Sequence, residues 1–582
     1  MRLRPPAPFV LLDDAREGGA SARLYHEPVE TVAAHRSDEV RPALARLRAA
    51  RGRGLHAVGF LSYEAGHALE PRLASLARPP GLPLLWFGLF EGFETVDVEA
   101  LLPDPAGAWA GAPRPLIERS AYLAALARVQ EAIAAGDIYQ ANLTFQCTVR
   151  HAGDPLALYA GLRRRARAGY GAVMFTGDDW LLSLSPELFF SLEGGRIATR
   201  PMKGTAARGA DDAAVIAELR DDPKQRAENL MIVDLIRNDL SRVAAPGSVA
   251  APELFAVETY PTVHQMVSSV TAMLAPGKDA IDLIEATFPS GSITGAPKIR
   301  AMEIIAEIET RPRGVYTGSL GRLDPGGDAA FNVAIRTLHL KPDGTSARLG
   351  LGSGIVADSQ GSAEWRECLV KGEYVASAER RFDLIETMAF DPVDGFLMID
   401  RHLARMKASA ERFGFPFDRH SARNELQAAT FRLRERARVR LMASPAGSLA
   451  VEVRPPSAHP SRPAEVSIAP LPVDPGDFRL RHKTSDRRFY SEACKAAGTF
   501  EVVFTDPEGF LTEGSFTNLF VERDGKLLTP PASRGLLPGV LRGALIDEGR
   551  AIEADLRPSD LEGGFLIGNA ARGLLPARLV AL

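Results

Sequence analysis

The sequence predicts an α/β protein built from two modules. Its 582 residues exceed what one hydrophobic core can hold. Strand-like and helical stretches alternate up to about residue 378, and a fresh alternating set begins at Phe382. Only a short connector separates the two sets, so we place the module boundary near residue 380. This divides the chain into residues 1–115 and 116–380, which together form the first module, and 381–582.

Composition and charge exclude several classes of function. The formal net charge is −4, so no overall basic field favours nucleic acid. The chain has no apolar run of about 18 residues, and we therefore expect no membrane span. The proline-interrupted N-terminus does not resemble a signal peptide. The three cysteines, Cys147, Cys368 and Cys494, lie far apart and suggest neither a disulfide framework nor a metal site. We expect a cytoplasmic protein.

Individual elements follow from local signals. The Pro/Gly/Ala-rich stretch 101–115 is predicted to be a loop or linker. A helix is expected to begin after the N-cap Ser120 and to stop at Gly136. Further helices are predicted around 39–51, 362–381 and 400–414, and strands over 438–444 and 449–455.

Three carboxylates, a lysine and a glycine-rich strand end in the first module suggest a site for a metal ion and an anion. Glu364, Glu367 and Lys371 are spaced to project from one helix face. Such a face is either solvated or holds a cation between its carboxylates. The preceding glycine-rich strand end, residues 352–354, lets backbone N–H groups approach an anion. With Glu228 from another predicted helix, the set would offer only oxygen ligands, which suits Mg²⁺ rather than Zn²⁺. Structural ion pairs remain the alternative.

A single lysine, Lys203, follows an apolar run in the stretch TRPMKGT, residues 199–205. The surrounding residues alone leave three functions open for its amine. It could be a surface charge, a ligand for an anionic group or a nucleophile.

Motifs over residues 120–378 resemble the chorismate-utilising enzymes, and most closely component I of aminodeoxychorismate synthase. The resemblance implies one two-sheet α/β domain, with residues 1–115 as its less distinctive first half. The matching stretches occur in the family's order and are GDIYQANLT (136–144), SPELFF (185–190), TRPMKGT, residues 226–243, VHQMVSSV (263–270), GSITGAPKIRAMEII (291–305), IRTL (335–338), GSGIVADS (352–359) and EWRECLVK (364–371).

The same resemblance implies a role for each matching residue. Lys203 would be a nucleophile towards chorismate, at a position where anthranilate synthases usually carry alanine, and Glu187 would be the general acid or base. His264 matches a further active-site position. Mg²⁺ would be held by Glu228, Glu364 and Glu367. Chorismate would be bound by Thr294, Tyr316, Arg336, Lys371 and the amide of Gly354.

The second module resembles the fold-type IV pyridoxal-phosphate enzymes, which include branched-chain and D-amino-acid aminotransferases and aminodeoxychorismate lyase. The stretches RLRHKTSDRRFY, TEGSFTNLF, SRGLLPGVLRGAL and RHLARM carry the resemblance. It implies that Lys483 is the Schiff-base lysine and that Glu513 pairs with the pyridine nitrogen. The phosphate would be held by Arg405 and the amides of Gly539, Val540 and Leu541. Asn518 and Asn569 would support the cofactor site, and Thr387 would face the substrate.

Together the two resemblances imply a bifunctional route to 4-aminobenzoate, a folate precursor. Chorismate would be aminated to 4-amino-4-deoxychorismate, and a pyridoxal-phosphate-dependent lyase would then release pyruvate. None of the three cysteines lies in a glutaminase motif, so a separate glutamine amidotransferase subunit would supply ammonia. Two alternatives stay open. The chain could join an anthranilate synthase component I to an aminotransferase, or its second module could be non-catalytic.

Overall fold

The structure, a computed structural model, describes residues 7–76, 78, 81–209, 211–260, 263–342, 344–376, 382–456, 459–460 and 463–580. The chain divides into two compact units. The first comprises Met1–Leu102, Ala112–Val149 and Tyr159–Ala376, and the second comprises Pro103–Gly111, Arg150–Leu158 and Ser377–Leu582. The predicted boundary near residue 380 falls outside the described residues.

Two large sheets form the first unit in the described part of the chain. One follows the order β17-β9-β21-β20-β11-β10-β1-β2-β6, and the other β14-β16-β13-β12-β19-β18-β4-β5-β3. In chain order the strands are β1 (Phe9–Asp13), β2 (Ala22–His26), β3 (Glu30–Ala34), β4 (His56–Leu61), β5 (Leu85–Phe90), β6 (Glu94–Val96), β7 (Trp109–Ala110, in the second unit), β8 (Arg114–Pro115), β9 (Gln140–Ala152), β10 (Tyr170–Phe175), β11 (Trp180–Ser185), β12 (Leu188–Glu193), β13 (Arg196–Arg200), β14 (Met202–Ala207), β15 (Ala250–Thr259), β16 (Val263–Met273), β17 (Gly295–Ala296), β18 (Ser319–Leu323), β19 (Ala329–Asn332), β20 (Thr337–Leu340) and β21 (Ser346–Ile355).

Helices flank these sheets. The predicted two-sheet α/β class is therefore confirmed for the first unit. The helices are α1 (Ser37–Gly52), α2 (Ala65–Leu69), α3 (Val98–Leu101), α4 (Arg119–Ala134), α5 (Pro155–Ala166), α6 (Asp212–Asp221), α7 (Pro223–Ser241), α8 (Ala280–Thr287), α9 (Lys298–Ile308) and α10 (Gly361–Gly372).

Two predicted helix ends differ from the structure. The N-cap of α4 is Glu118 rather than Ser120, which lies inside the first turn, and no side chain caps this end. Gly136 follows the helix with a φ of 80°, as expected of a glycine that ends a helix. The predicted helix over 362–381 ends at Gly372 and continues only as a short 3-10 turn, and residues 377–381 lie outside the described chain.

The second unit contains a four-stranded sheet, β23-β22-β24-β25, and an eight-stranded sheet, β28-β27-β26-β33-β32-β29-β30-β31, among its described residues. The predicted helix over 400–414 and both predicted strands are present. The elements are β22 (Leu384–Asp391), β23 (Gly395–Phe396), α11 (Ile399–Phe413), α12 (Arg419–Thr430), β24 (Ala437–Ala443), β25 (Leu449–Arg454), β26 (Ala464–Pro470), α13 (Phe478–Arg481), α14 (Arg488–Ala497), β27 (Glu501–Thr505), β28 (Leu511–Gly514), β29 (Asn518–Arg523), β30 (Lys526–Thr529), α15 (Val540–Asp547), β31 (Ala551–Glu553), β32 (Phe565–Asn569) and β33 (Gly573–Leu579).

The stretch predicted as a loop over 101–115 contains the short strands β7 and β8. Within the second unit, Trp109 pairs with Ala152, and its side chain is 8% exposed. The indole ring meets the ring of Phe413 edge-on at 5.1 Å between centroids, and it joins an apolar cluster that includes Phe382 and Phe478. The composition of 101–115 suggested a linker, but Trp109 belongs to the hydrophobic core of the second unit.

Candidate active sites

The first candidate site lies between the two sheets of the first unit. Lys203 stands on β14 in one sheet, and Gly354 on β21 in the other. The Lys203 Nζ atom lies 3.1 Å from the point where a β-carbon on Gly354 would stand. The amide Nε2 of Gln140, at the start of β9, lies 3.0 Å from the same point. The two sheets thus bring the amine of Lys203 and the amide of Gln140 next to the backbone of Gly354.

The amine of Lys203 is buried, and burial lowers its pKa. The nearby Lys371 lowers the pKa further, whereas Glu228, Glu187 and Glu367 raise it. These effects place the five predicted side chains within electrostatic reach of one another. A lowered pKa increases the fraction of neutral amine, which is the form that can act as a nucleophile.

Glu187 precedes β12 and is almost fully buried. Burial raises the pKa of its carboxyl to about 7, although a hydrogen bond from Ser292 and the charge of Lys203 both oppose this shift. A carboxyl that titrates near neutrality can hold a proton and release it, as a general acid or base must.

The carboxylates predicted to bind a metal lie around α7 and α10. Burial raises the pKa of Glu228, and the charge of Glu364 raises it further. Glu364 accepts a hydrogen bond from Ser359 at 2.8 Å, and Glu367 lies 2.7 Å from the Nζ atom of Lys371. Within the described chain, no three acidic, His or Cys groups stand close enough together to hold a metal ion.

The residues predicted to bind chorismate occupy different surroundings. Lys371 Nζ donates to the carbonyl of Gly352 at 3.1 Å, beside the glycine-rich end of β21. Arg336 is half-buried, and the loss of water around its guanidinium lowers the pKa of that group. Its φ is 50°. Tyr374 and Tyr260 lie within electrostatic reach of this guanidinium.

Thr294 and Tyr316 are both buried. The Thr294 hydroxyl donates to the carbonyl oxygens of Ser290 and Gly291 in its own turn. The ring of Tyr316 lies against Gly350, where a β-carbon would overlap it. Among the described contacts, none joins either side chain to Lys203.

His264 is fully buried on β16, where it stands opposite Ala206 of β14, the strand that carries Lys203. Its Nδ1 atom lies 3.0 Å from the Thr259 hydroxyl, and its Nε2 atom lies 3.0 Å from an Asp212 carboxylate oxygen. These contacts tie β16 to β15 and α6. No contact in the described part of the chain joins His264 to Lys203 or Glu187, and its active-site role stays a prediction.

The second candidate site surrounds Lys483 in the second unit. Its backbone carbonyl accepts a hydrogen bond from the N–H of Ile385 on β22. Burial lowers the pKa of the Lys483 amine to about 7, and the charges of Arg405, Arg487 and Arg440 lower it as well. Only Glu386, among the groups that affect it most, acts in the opposite direction.

Arg405 connects this lysine to the start of α15. Its guanidinium binds both oxygens of the buried Glu386, with Nε at 2.8 Å and Nη2 at 2.7 Å, and it donates to the carbonyl of Pro538 at 3.0 Å. Pro538 directly precedes Gly539, the N-cap of α15. The cation and the free amides of the helix start therefore lie side by side, as an anion site requires.

Asn518 fixes the same turn. Its Nδ2 atom donates to the carbonyl of Leu537 at 3.2 Å, and its Oδ1 atom lies only 1.8 Å from where a β-carbon on Gly539 would stand. Residue 539 must be glycine because a side chain would overlap the asparagine.

Glu513 lies deep in the second unit, where burial raises the pKa of its carboxyl to about 7. The Tyr490 hydroxyl donates to Glu513 at 2.5 Å, and the charge of Arg487 lowers the pKa of this carboxyl. Asn569 donates to the carbonyl of Phe516 at 3.0 Å, so it supports the loop that follows Glu513. Thr387 stands on β22, two residues beyond Ile385.

A family model described as chorismate binding enzyme matches residues 7–377. The chain belongs to this family. Residues 383–580 match a second model, amino-transferase class IV, and the second unit has that class of fold. No described helix is both long and apolar enough to cross a membrane.

Several relatives of this chorismate binding enzyme are known. It is 46% identical to aminodeoxychorismate synthase component 1 of Klebsiella aerogenes over 44% of this chain and 57% of that protein. It is 40% identical to the Salmonella typhimurium protein of the same name over 54% of this chain and 74% of that protein. The anthranilate synthase component I structure from Streptococcus pneumoniae matches at 27% identity with a TM-score of 0.53, covering 64% of this chain and 93% of that one.

The donor sets suit both expected cofactors by their chemistry, although the three carboxylates expected to bind Mg²⁺ are not gathered into one cluster in the described residues. Glu228 and Glu364 repel each other, and carboxylate oxygens are the ligands that Mg²⁺ prefers, so a cation would relieve that repulsion. Arg405, the α15 amides and a buried lysine suit a phosphorylated aldehyde.

Sequence reasoning missed residues that lie beside the predicted ones. Both amide atoms of Gln140 are buried without a hydrogen-bond partner among the described residues. Glu386 and His402, whose Nδ1 atom lies 2.6 Å from Glu386, hold Arg405 in place. Gln140 lay inside the recognised stretch GDIYQANLT, and Glu386 directly precedes Thr387, but only the fold brings them to the lysines.

Proposed function

We propose that this chorismate binding enzyme makes 4-aminobenzoate in two steps, as a cytoplasmic protein. The first unit would convert chorismate and ammonia to 4-amino-4-deoxychorismate, and the second would release pyruvate from that product. The observation that carries the first step is the buried Lys203 amine beside Gly354 and the Glu187 carboxyl. The aminodeoxychorismate synthase relatives support it, although the chain spans only part of their length.

In the first unit, the neutral Nζ of Lys203 would attack C2 of chorismate. The ring double bonds C1=C2 and C5=C6 shift to C1=C6 and C4=C5, and the C4 hydroxyl leaves as water with a proton from Glu187. Ammonia then attacks C4, the two double bonds return to C5=C6 and C1=C2, the C2–N bond breaks, and the lysine amine is released. Bound Mg²⁺, held by Glu228, Glu364 and Glu367, would neutralise a substrate carboxylate.

In the second unit, bound pyridoxal phosphate would supply an electron sink that allows the C4–H bond of the substrate to break. Arg405 and the amides of residues 539–541 would hold its phosphate, and Glu513 would face its pyridine nitrogen. With a pKa near 7, the Lys483 amine can take the C4 proton at neutral pH. Loss of the enolpyruvyl group as pyruvate then makes the ring aromatic.

Ammonia would come from a separate glutamine amidotransferase subunit. The "component 1" relatives support this partner, because that name belongs to one part of a larger synthase.

Product analysis tests the proposal. The full chain, loaded with pyridoxal phosphate, is incubated with chorismate, an ammonium salt and Mg²⁺, and products are separated by liquid chromatography. We expect 4-aminobenzoate and pyruvate. Accumulation of 4-amino-4-deoxychorismate alone would refute the lyase step, and anthranilate would instead identify an anthranilate synthase. Lys203→Ala should abolish amination at C4. Unchanged production of 4-aminobenzoate by this variant would refute the proposed role of Lys203 as the nucleophile.

A further inference from the structure

A pocket of about 200 Å³ in the first unit plays no part in the function proposed above. Strands β20 and β21 and the segment 311–316 form most of its wall. Neither Lys203 nor Gly354 lines it, and Tyr316 is the one residue that it shares with the predicted chorismate site. The pocket is therefore lined by a different set of residues from the Lys203 site.

The mouth of this pocket carries two exposed arginines, Arg311 and Arg348. Arg348 on β21 stands opposite His339 on β20, which lines the same pocket. No acidic side chain is among the described lining residues, and no described carboxylate lies within salt-bridge distance of either arginine. The mouth therefore carries positive charge without a counter-ion among the described residues.

Two carboxylates next to lining residues already have partners. Glu309 accepts a hydrogen bond from the Arg313 guanidinium at 2.8 Å. Asp179 lies 2.6 Å from the His339 Nε2 atom and 2.7 Å from the Lys341 Nζ atom. Neither is available to the arginines at the mouth, so an external anion would be their counter-ion.

The inner wall of the pocket is apolar. Leu82 is 6% exposed and Val315 is 4% exposed, and the ring of Tyr316 lies against Gly350. Inorganic phosphate would leave these surfaces in contact with water, whereas a ring attached to a carboxylate would cover them. Because sites for drug-sized ligands have volumes of about 300–1,000 Å³, this smaller pocket suits a molecule with a single ring.

We propose that this pocket binds a small aromatic carboxylate, which pairs with Arg311 and Arg348 and places its ring against Leu82 and Val315. Arginine suits this task because its planar fork binds a carboxylate through two parallel hydrogen bonds. The proposal goes beyond the proposed function and does not depend on it, because it requires neither chorismate turnover nor the second unit. The proposed product, 4-aminobenzoate, belongs to this ligand class, and a ligand in the pocket would contact Tyr316.

Calorimetric titration of the full chain, without chorismate or Mg²⁺, tests the ligand class. Benzoate and 4-aminobenzoate should each bind once per chain with a dissociation constant of about 1 mM or lower. Benzamide lacks the charge and inorganic phosphate lacks the ring, so each should bind about 10-fold more weakly or worse. Phosphate binding as tight as that of benzoate would overturn the aromatic class, and the absence of benzoate binding would overturn the site.

Arginine variants test the place of binding. Arg311→Gln and Arg348→Gln should each raise the dissociation constant of benzoate by about 10-fold, the loss expected for a charge-assisted hydrogen bond. Arg237→Gln is the matched control, because Arg237 is exposed and pairs with Asp234. Lys203→Ala should bind benzoate as wild type does. Wild-type affinity in both glutamine variants would overturn the proposal.

Photolabelling with 4-azidobenzoate, followed by mass spectrometry of the peptides, locates the ligand directly. We expect label within residues 311–316. Label confined to residues 199–205 would place the ligand at the Lys203 site and overturn the proposal. A chain that makes no 4-aminobenzoate would refute the proposed function and leave these binding results unaffected, so the two failures are distinguishable.

Discussion

The amine nitrogen of Lys203 and the α-carbon of Gly354 face each other across the two sheets of the first unit, so closely that a side chain at residue 354 would have to push the amine aside. A β-carbon at residue 354 would lie 3.1 Å from Nζ and 3.0 Å from the Gln140 amide nitrogen. Gly354 does not have a left-handed backbone, so space rather than conformation favours a glycine here. The gap is the volume in which a reacting carbon could approach the amine.

Gly354→Ala should therefore impair the first unit without unfolding it. The added methyl group would press on Lys203 and Gln140, and we expect a loss in chorismate amination of about 10-fold or more, since small displacements of a reacting group are costly. Gly52→Ala, where the new methyl group meets nothing within 4 Å, is the control. Steady-state amination at saturating ammonia measures the effect, and full activity in Gly354→Ala would contradict it.

Stability should depend on pH through Glu187. Its folded-state pKa of about 7 is above the ordinary value of 4.5, so its stabilising contribution is complete below pH 4.5 and is lost as pH rises to 7. We expect a decline of at most about 3 kcal/mol across this window. Glu187→Gln should remove that decline, whereas Glu193→Gln, an exposed site on β12, should retain it. Urea unfolding in EDTA at pH 5 and pH 8 gives the free energy of unfolding at each pH. An equal change in that free energy in wild type and Glu187→Gln would refute the prediction.

Gly539→Ala should block cofactor binding in the second unit. Its methyl group would overlap Asn518, which lies 1.8 Å from that position, and would displace the amides that start α15. We expect the dissociation constant for pyridoxal phosphate to rise by about 10-fold or more, the cost of losing charge-assisted hydrogen bonds. Gly543→Ala lies in the same helix in open space and should bind normally. Absorbance titration measures the affinity of each variant for pyridoxal phosphate. Equal affinities of wild type and Gly539→Ala would show that the turn before α15 is not the phosphate site.

Trp109→Ala should destabilise the second unit while leaving the first active. Removing a buried indole that contacts Phe413 costs about 3 kcal/mol or more. The temperature at which the cofactor absorbance disappears should fall by about 5–10 °C. Phe431→Ala, a residue 80% exposed in the same unit, should leave that temperature unchanged. If chorismate amination were lost instead, residue 109 would not belong to the second unit.

Removing Mg²⁺ should stop chorismate amination and spare pyruvate release from added 4-amino-4-deoxychorismate. Glu364→Gln should raise the Mg²⁺ concentration required for half-maximal amination by about 10-fold or more, because it removes one charged ligand. Asp234→Asn on α7 is the control, since Asp234 is exposed and pairs with Arg237. Amination that persists in EDTA would contradict the metal site.

Motifs with fixed spacing predicted much of both sites. Lys203, Glu187 and Glu228 were found because their stretches are recognisable, and the structure brings them within electrostatic reach of one another. The class of fold followed from the same stretches. Helix periodicity also located α1 and α11 to within a few residues.

Other features depend on contacts between elements that are far apart in the sequence, so local sequence patterns could not predict them. Gln140 and Lys203 lie beside the same point at Gly354 only because β9 and β21 share one sheet and β14 belongs to the other. Composition suggested a linker at Trp109, since the stretch is rich in proline and glycine, and only its pairing with Ala152 buries the indole. His264 matched a motif, yet its neighbours Thr259 and Asp212 come from other elements.

Because the second unit includes Pro103–Gly111 and Arg150–Leu158, its parts are interleaved in sequence with those of the first. A protease or a gene break at residues 377–381 would leave the downstream fragment without Trp109 and its strand partner. The two proposed activities would thus be inherited together, since the second unit cannot be transferred intact as the C-terminal piece alone.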